Sequence, residues 1–209
     1  MLMSMAGTKA LAYDAEIDGI YYNFSGTKAE VTSYYYDKYT GSVVIPETVS
    51  FNGTTYSVTT IGCQAFYMCF DLTSVTIPNS VTSIDDYAFE TCWNLTSITI
   101  PNSVTTIGDL AFYECSGLTS INIPNSVTTI GSRAFSGTAW YDNQPDGVVY
   151  AGKVVYTYKG EMPSNTSIIL KDGTVGIADE AFSGCDGLTS ISIPNSVTVI
   201  GGSAFYGCI

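Results

Sequence analysis

The chain has no histidine, and only 7 of its 209 residues are lysine or arginine. The first absence removes the side chain that most often serves as general base or metal ligand near neutral pH. No Cys-x-x-C pair stands in for it as a zinc site, and no Gly-x-Ser-x-Gly elbow presents a nucleophilic serine. Neither a metal nor any other cofactor is therefore expected. The second absence bears on partners. Against 19 acidic residues the few basic ones leave a formal net charge of −12, and no Lys/Arg stripe can be assembled to neutralise phosphates. Nucleic acid and anionic membranes are poor partners for such a surface. No apolar run reaches the roughly 18 residues a spanning helix needs, and no segment carries the pattern of an ordinary helix of about eleven residues.

What the chain has instead is a period. Ala-Phe begins at Ala65, Ala88, Ala111, Ala134, Ala181 and Ala204. The first three intervals and the last are 23 residues, and the remaining one is 47, two periods plus one. Ile77, Ile100 and Ile123 of the Ile-Pro pairs keep the same spacing. A repeat of this length marks a solenoid, propeller or array, whose units bury their apolar side by stacking on one another. In the copy at 95–117, Leu95, Ile98 and Ile100 form a short strand, Pro101 ends it, and Asn102-Ser103 turn the chain. Val104 and Ile107 make a second inward pair. Ala111-Phe112 cross the far side, with at most one helical or 3₁₀ turn around Asp109–Tyr113, and Cys115 leads back to the next leucine. Stacks grow by addition, so one elongated, β-rich domain is predicted.

The stretch LTSITIPNSVTTIGDLAFYECSGLTSINIPNSVTTIG, residues 95–131, resembles the BspA-type leucine-rich repeats of bacterial surface proteins, and the resemblance runs over roughly residues 40–209. It implies a right-handed leucine-rich-repeat rod with one ladder of parallel strands. Members of that family are typically secreted or attached to the cell surface, and some are adhesins for host matrix proteins or other cells. The expectation carried over is a non-catalytic extracellular module that binds protein or glycan.

Departures from the period divide the chain. Residues 1–12 are small and apolar, Ala10-Leu11-Ala12 matches a cleavage pattern, and a basic n-region is missing. They read as the back half of a signal peptide or as a disordered tail. Residues 13–39 are rich in tyrosine and form a hairpin turning at Ser25–Lys28, an N-terminal β cap on the solenoid of 40–209. The first unit carries nine extra residues around Asn52-Gly53, a strong hairpin signal. The largest break, residues 139–162, reads as an insertion of about 24 residues whose centre is a β-hairpin turning at Ala151-Gly152. The chain stops after Cys208 without a capping segment, so it is either a fragment of a longer array or an open edge suited to end-to-end self-association.

Candidate functional residues follow from these breaks and from the repeated positions. Trp140, Tyr141, Tyr150, Tyr156 and Tyr158 of the inserted hairpin are anchors for a protein or a sugar, or simply pack the hairpin down. Ser74, Thr76, Ser97, Thr99, Ser120 and Asn122, with Ser190 and Ser192, form an uncharged strip on the strand face. That strip suits a protein, a glycan or, by its Ser-x-Thr repetition, ice; equally, these are soluble β-formers. Cys69, Cys92, Cys115, Cys185 and Cys208 each fall four residues after the repeat alanine and stack as a reduced structural column, Thr138 taking the place in one unit. Cys63 stands outside the column as an exposed, reactive thiol. Asp85-Asp86, Asp109 and Asp179-Glu180, with Glu90 and Glu114, recur near Ala-Phe, where a carbohydrate hydrolase would keep its acid pair and a scaffold its solvated edge. A spacer segment of a larger surface protein is the remaining alternative.

Overall fold

The computed structural model describes residues 13–33 and 38–208. The expected leader at 1–12 lies outside those residues, as does the end of the cap segment at 34–37. The chain opens with a three-strand antiparallel meander, Ala15–Ile17 (β1), Ile20–Ser25 (β2) and Lys28–Thr32 (β3), in which Ser25 faces Lys28. Tyr22, Ala29 and Val31 are buried beneath it.

Two series of strands then build the body. Gly41–Val44 (β4) is followed by Thr48–Phe51 (β5) and Thr54–Ile61 (β6), which form a hairpin with Phe51 opposite Thr54. Asn52 and Gly53 between them both adopt positive φ, 49° and 78°, the backbone that a two-residue type I′ turn demands. Next come Leu72–Thr76 (β7), Ser83–Ile84 (β8), Ser97–Thr99 (β9), Thr106–Ile107 (β10) and Thr129–Ile130 (β11). A short helix, Ala139–Asp142 (α1), precedes Gly147–Ala151 (β12) and Val154–Lys159 (β13). Thr166–Ile169 (β14), Gly176–Ile177 (β15), Leu188–Ser192 (β16) and Val199–Ile200 (β17) complete the order.

The sheets are parallel through the repeats, and there are two ladders where one was expected. The Leu-Thr-Ser-Ile phrase gives β4-β7-β9 and, later, β14-β16. The Thr-x-Ile phrase gives a second ladder, β3-β6-β8-β10-β11, and then β13-β15-β17, with Thr106 between Ser83 and Thr129. The first ladder is interrupted at Ser120–Ile123, which is not strand. Asn122, a poor strand former, replaces Thr76 and Thr99 there, and the chain that follows is α1 instead of a strand to pair with.

Between the ladders the core is a set of columns. Phe66, Phe89, Phe112 and Phe135 stack face to face with ring centroids 4.8, 5.1 and 5.6 Å apart. Ala65, Ala88, Ala111 and Ala134 are fully buried beside them, as are Ile61, Ile84, Ile107 and Ile130. Each large side chain so buried stabilises by about 1.5–3 kcal/mol.

The far side is neither helix nor 3₁₀. Consecutive N–H groups alternate between a partner three residues back and a carbonyl of the next rung: Ala65 to Gly62, Phe66 to Ala88, Tyr67 to Gln64, Met68 to Glu90. That alternation needs left-handed residues, and Gln64, Met68, Tyr87, Thr91, Leu110 and Glu114 supply it with φ of 51–62°. Non-glycine residues tolerate this backbone only where the surroundings fix it; the inter-rung hydrogen bonds do so here.

Candidate functional site

The break in the repeat begins at Thr138, the residue that replaces a column cysteine. Buried Thr138 donates its hydroxyl to Phe135 O (2.7 Å) and accepts the N–H of Tyr141 (3.1 Å), so it N-caps α1. A thiol is a weak acceptor and would cap poorly. The end of α1 is pinned by Lys159, whose Nζ donates to the carbonyls of Tyr141, Asp142 and Gln144 at 3.0, 2.7 and 2.7 Å.

β12 and β13 pair antiparallel, with Ala151 opposite Val154. The turn is therefore Gly152-Lys153, one residue beyond the expected Ala151-Gly152, because Gly152 is the residue with positive φ (62°). The hairpin is also more than an excursion. Val154 and Val155 pair in parallel with Gly176 and Ile177, and Ala178 N–H donates to Val155 O at 2.8 Å. These are the positions that Thr106-Ile107 and Ser83-Ile84 hold elsewhere, so β13 is a member of the second ladder. The wedge brings neighbouring rungs close. A side chain at Gly176 would overlap the Thr128 carbonyl oxygen, and glycine stands there where Ser83, Thr106, Thr129 and Val199 stand in other rungs.

On the far side β13 continues as a strand, bulged at Tyr156, and makes no compact turn; Asp179 N–H still reaches the Ile130 carbonyl (3.1 Å), but the regular inter-rung series is broken. Elsewhere Gln64, Tyr87 and Leu110 donate to Asp86, Asp109 and Ser132 at 3.1, 2.8 and 2.9 Å. Among the described residues the Arg133 N–H meets no such carbonyl, and the Asp179 carbonyl receives no such N–H. Two substitutes hold the middle: the Tyr156 hydroxyl accepts the Phe135 N–H (3.0 Å), and Tyr158 N–H donates to Ala181 O (2.8 Å). Ser132 Oγ donates across the gap to Glu180 Oε2 at 2.6 Å. What remains is an open cleft of about 270 Å³. Ser132, Arg133 and Ser136 line one wall, Asp179, Glu180 and Ser183 the other, and Tyr141, Tyr156 and Thr157 the floor.

The expected site residues separate under this geometry. Tyr141 and Tyr156 line the cleft, but Tyr156 is 3% exposed and packs edge-on against Phe135, so it belongs to the core. Burial pushes its hydroxyl up to about 12. Trp140 is half-buried and meets Phe135 edge-on at 5.3 Å. Tyr150 accepts the Lys171 N–H (2.9 Å) under the Lys171 ammonium, and Tyr158 lines a separate depression with Met162. The strand-face strip is not part of the cleft. Ser74 bonds Ser42, Thr76, Ser97 and Thr99 are exposed on β7 and β9, and Ser120 and Asn122 are exposed outside any strand.

The cysteines of the column are free thiols, and all but Cys208 are buried. Cys92, Cys115 and Cys208 donate to the Phe66, Phe89 and Phe182 carbonyls at 3.0, 3.0 and 3.1 Å. Cys63 is exposed, as expected, and partial burial and then Asp86, Asp85 and Glu30 push its thiol up, away from thiolate. The repeated aspartates are engaged in stacking. Asp86, Asp109 and Asp179 Oδ1 accept the N–H of Asp109, Ser132 and Gly202 at 2.8, 2.7 and 2.5 Å. The cleft residues Ser132, Arg133, Ser136, Thr157 and Ser183 carry no chemical motif, and the only signal in the sequence is the interval of 47, which hides a rung.

The family profile described as "BspA type Leucine rich repeat region" matches in six copies over residues 33–143 and 155–209. Among solved structures, a leucine-rich repeat protein from Bacteroides ovatus is 32% identical with a TM-score of 0.59, covering 94% of this chain and 45% of that one. A leucine rich cell surface protein from Faecalibacterium prausnitzii is 28% identical with a TM-score of 0.57, covering 92% of this chain and 51% of that one. A leucine rich repeat protein of T. pallidum is 26% identical with a TM-score of 0.54, covering 91% and 86%. The chain thus spans about half the length of the first two structures it matches. No curated protein matches it.

Proposed function

Because this chain belongs to the family of BspA-type leucine-rich repeat proteins, we propose that it is a non-catalytic, adhesin-like interaction module of a bacterial cell surface. In this reading the units form a right-handed rod of 23-residue rungs, and a protein or glycan is bound at the break in the repeat, with the hydroxyl strip of the strand face as a further contact surface. One observation carries the proposal: the repeated aspartates Asp86, Asp109 and Asp179 are tied into rung-to-rung hydrogen bonds, whereas the polar side chains around the break surround an open cleft. A hydrolase acid pair would need carboxylates free to hold and pass a proton, and Asp86, Asp109 and Asp179 each have one oxygen engaged by backbone. Surface location is supported by the cell-surface relative from Faecalibacterium prausnitzii.

The test is a binding screen of the purified chain against host matrix proteins and a glycan array. Deleting residues 139–162 would remove β13 from its ladder, so point variants at exposed positions are the proper control. Binding that Thr99→Lys or Ser183→Trp weakens supports the reading. No binding at all from a folded chain would leave a spacer.

A further inference from the structure

The cleft has two polar walls over a partly aromatic floor, and its polar groups are of mixed sign. Arg133 offers a guanidinium with five donors and a backbone N–H that its counterparts in other rungs use for stacking. Facing it are the Asp179 and Glu180 carboxylates and the Asp179 carbonyl, which among the described residues takes no N–H. Between these lie the hydroxyls of Ser183, of Ser136, which also pairs with the Tyr156 hydroxyl (3.2 Å), and of Thr157, which leans on the Tyr158 carbonyl (3.4 Å), each with capacity left to accept. An anionic ligand seated by Arg133 would face two carboxylates. A cationic one seated by the carboxylates would face Arg133. A neutral ligand whose every polar group both donates and accepts meets neither repulsion and satisfies both walls.

Size narrows the class. At about 270 Å³ the cleft falls just below the roughly 300–1,000 Å³ of pockets for drug-sized ligands, which suits one ring better than a length of peptide. Its middle is closed to a polypeptide strand as well. The bonds an added strand would make there are taken by the Tyr156 hydroxyl and the Tyr158 N–H. The half-buried Tyr141 gives the floor an aromatic surface beside these polar groups, a combination that suits a ring with C–H groups on its faces and hydroxyls on its edge.

We propose that the cleft at the break binds one neutral pyranose residue of a glycan, held between Arg133 and the Asp179–Glu180 wall through vicinal hydroxyls. This deepens the interaction-module reading and rests on it. The ring's hydroxyls replace the rung-to-rung hydrogen bonds that this junction lacks. Glu180 keeps its bond to Ser132 and so fixes one end of the cleft.

The test is a two-dimensional amide NMR titration of the whole chain with the methyl glycosides of glucose, galactose, mannose and N-acetylglucosamine, and in a separate arm with an arginine-containing tripeptide. The expected result is a saturable shift of the Arg133, Ser136, Thr157 and Ser183 amides by at least one glycoside, with a millimolar Kd. Arg133→Met should weaken it by about tenfold, and Ser183→Trp, on an exposed position, should abolish it while the remaining spectrum stays native. Shifts by the tripeptide alone, shifts that Ser183→Trp leaves unchanged, or no shift with any glycoside would each overturn the proposal. Those outcomes are separable from failure of the broader reading: a chain that binds matrix proteins in the screen but no glycoside in the cleft loses only this inference.

Discussion

At the scale of single residues, Tyr156 and Cys63 carry the clearest consequences. Tyr156→Phe keeps the ring against Phe135 but removes the acceptor for the buried Phe135 N–H. Leaving that donor unpaired should cost about 1–3 kcal/mol, read as a lower urea midpoint at an unchanged slope. For Cys63, nearby carboxylates add to burial in holding the thiol protonated. Asp86→Asn keeps an oxygen for the Asp109 N–H and removes one of those charges. Alkylation of Cys63 by iodoacetamide at pH 7.5 should become several-fold faster in that variant. An unchanged rate would mean that the acidic neighbours do not govern the thiol.

Among the elements, β13 and β15 decide how the break is accommodated. Gly176→Val installs the side chain that Val199 carries one rung later, against the Thr128 carbonyl. It should destabilise by about 1–3 kcal/mol, the usual range for forced overpacking, whereas Thr129→Val, where a side chain already fits, should stay within about 0.5 kcal/mol. Urea titration of the two variants makes the comparison. The repeated part of this arrangement was legible in the sequence because Leu95, Ile98, Ile107 and Phe112 recur in register. The wedge was not. Val154-Val155-Tyr156 is a short apolar run that would suit any hairpin strand, and neither its ladder partner Gly176 nor the capping role of Thr138 has a local signature. The left-handed turns were also hidden, since Leu110 and Glu114 are ordinary residues whose backbone is set by bonds to the next rung.

For the whole molecule, partly buried carboxylates govern the response to pH. Burial first, and neighbouring acids where present, raise Glu30, Asp85, Glu90 and Asp109 above their ordinary values. Folding therefore favours their protonated forms. Stability falls as pH rises from the ordinary carboxylate range through their folded values and levels off above them. Tm should be higher at pH 5 than at pH 8, by about 2–4 °C for each kcal/mol gained, and added salt should narrow the difference by screening a net charge of −12. A Tm that rises from pH 5 to pH 8 would contradict this.

The central claim is that the irregular segment is a member of the stack and that its far side leaves the cleft open. Amide hydrogen exchange tests both halves in one measurement. Ala178 and Tyr158, whose N–H groups donate to the Val155 and Ala181 carbonyls, should be protected as strongly as Gly108 and Phe112 of the regular rungs, while the Arg133 amide exchanges far faster than its counterpart Leu110. Rapid exchange at Ala178 and Tyr158, with the rungs on either side still protected, would show the hairpin to lie off the ladder and would contradict the account.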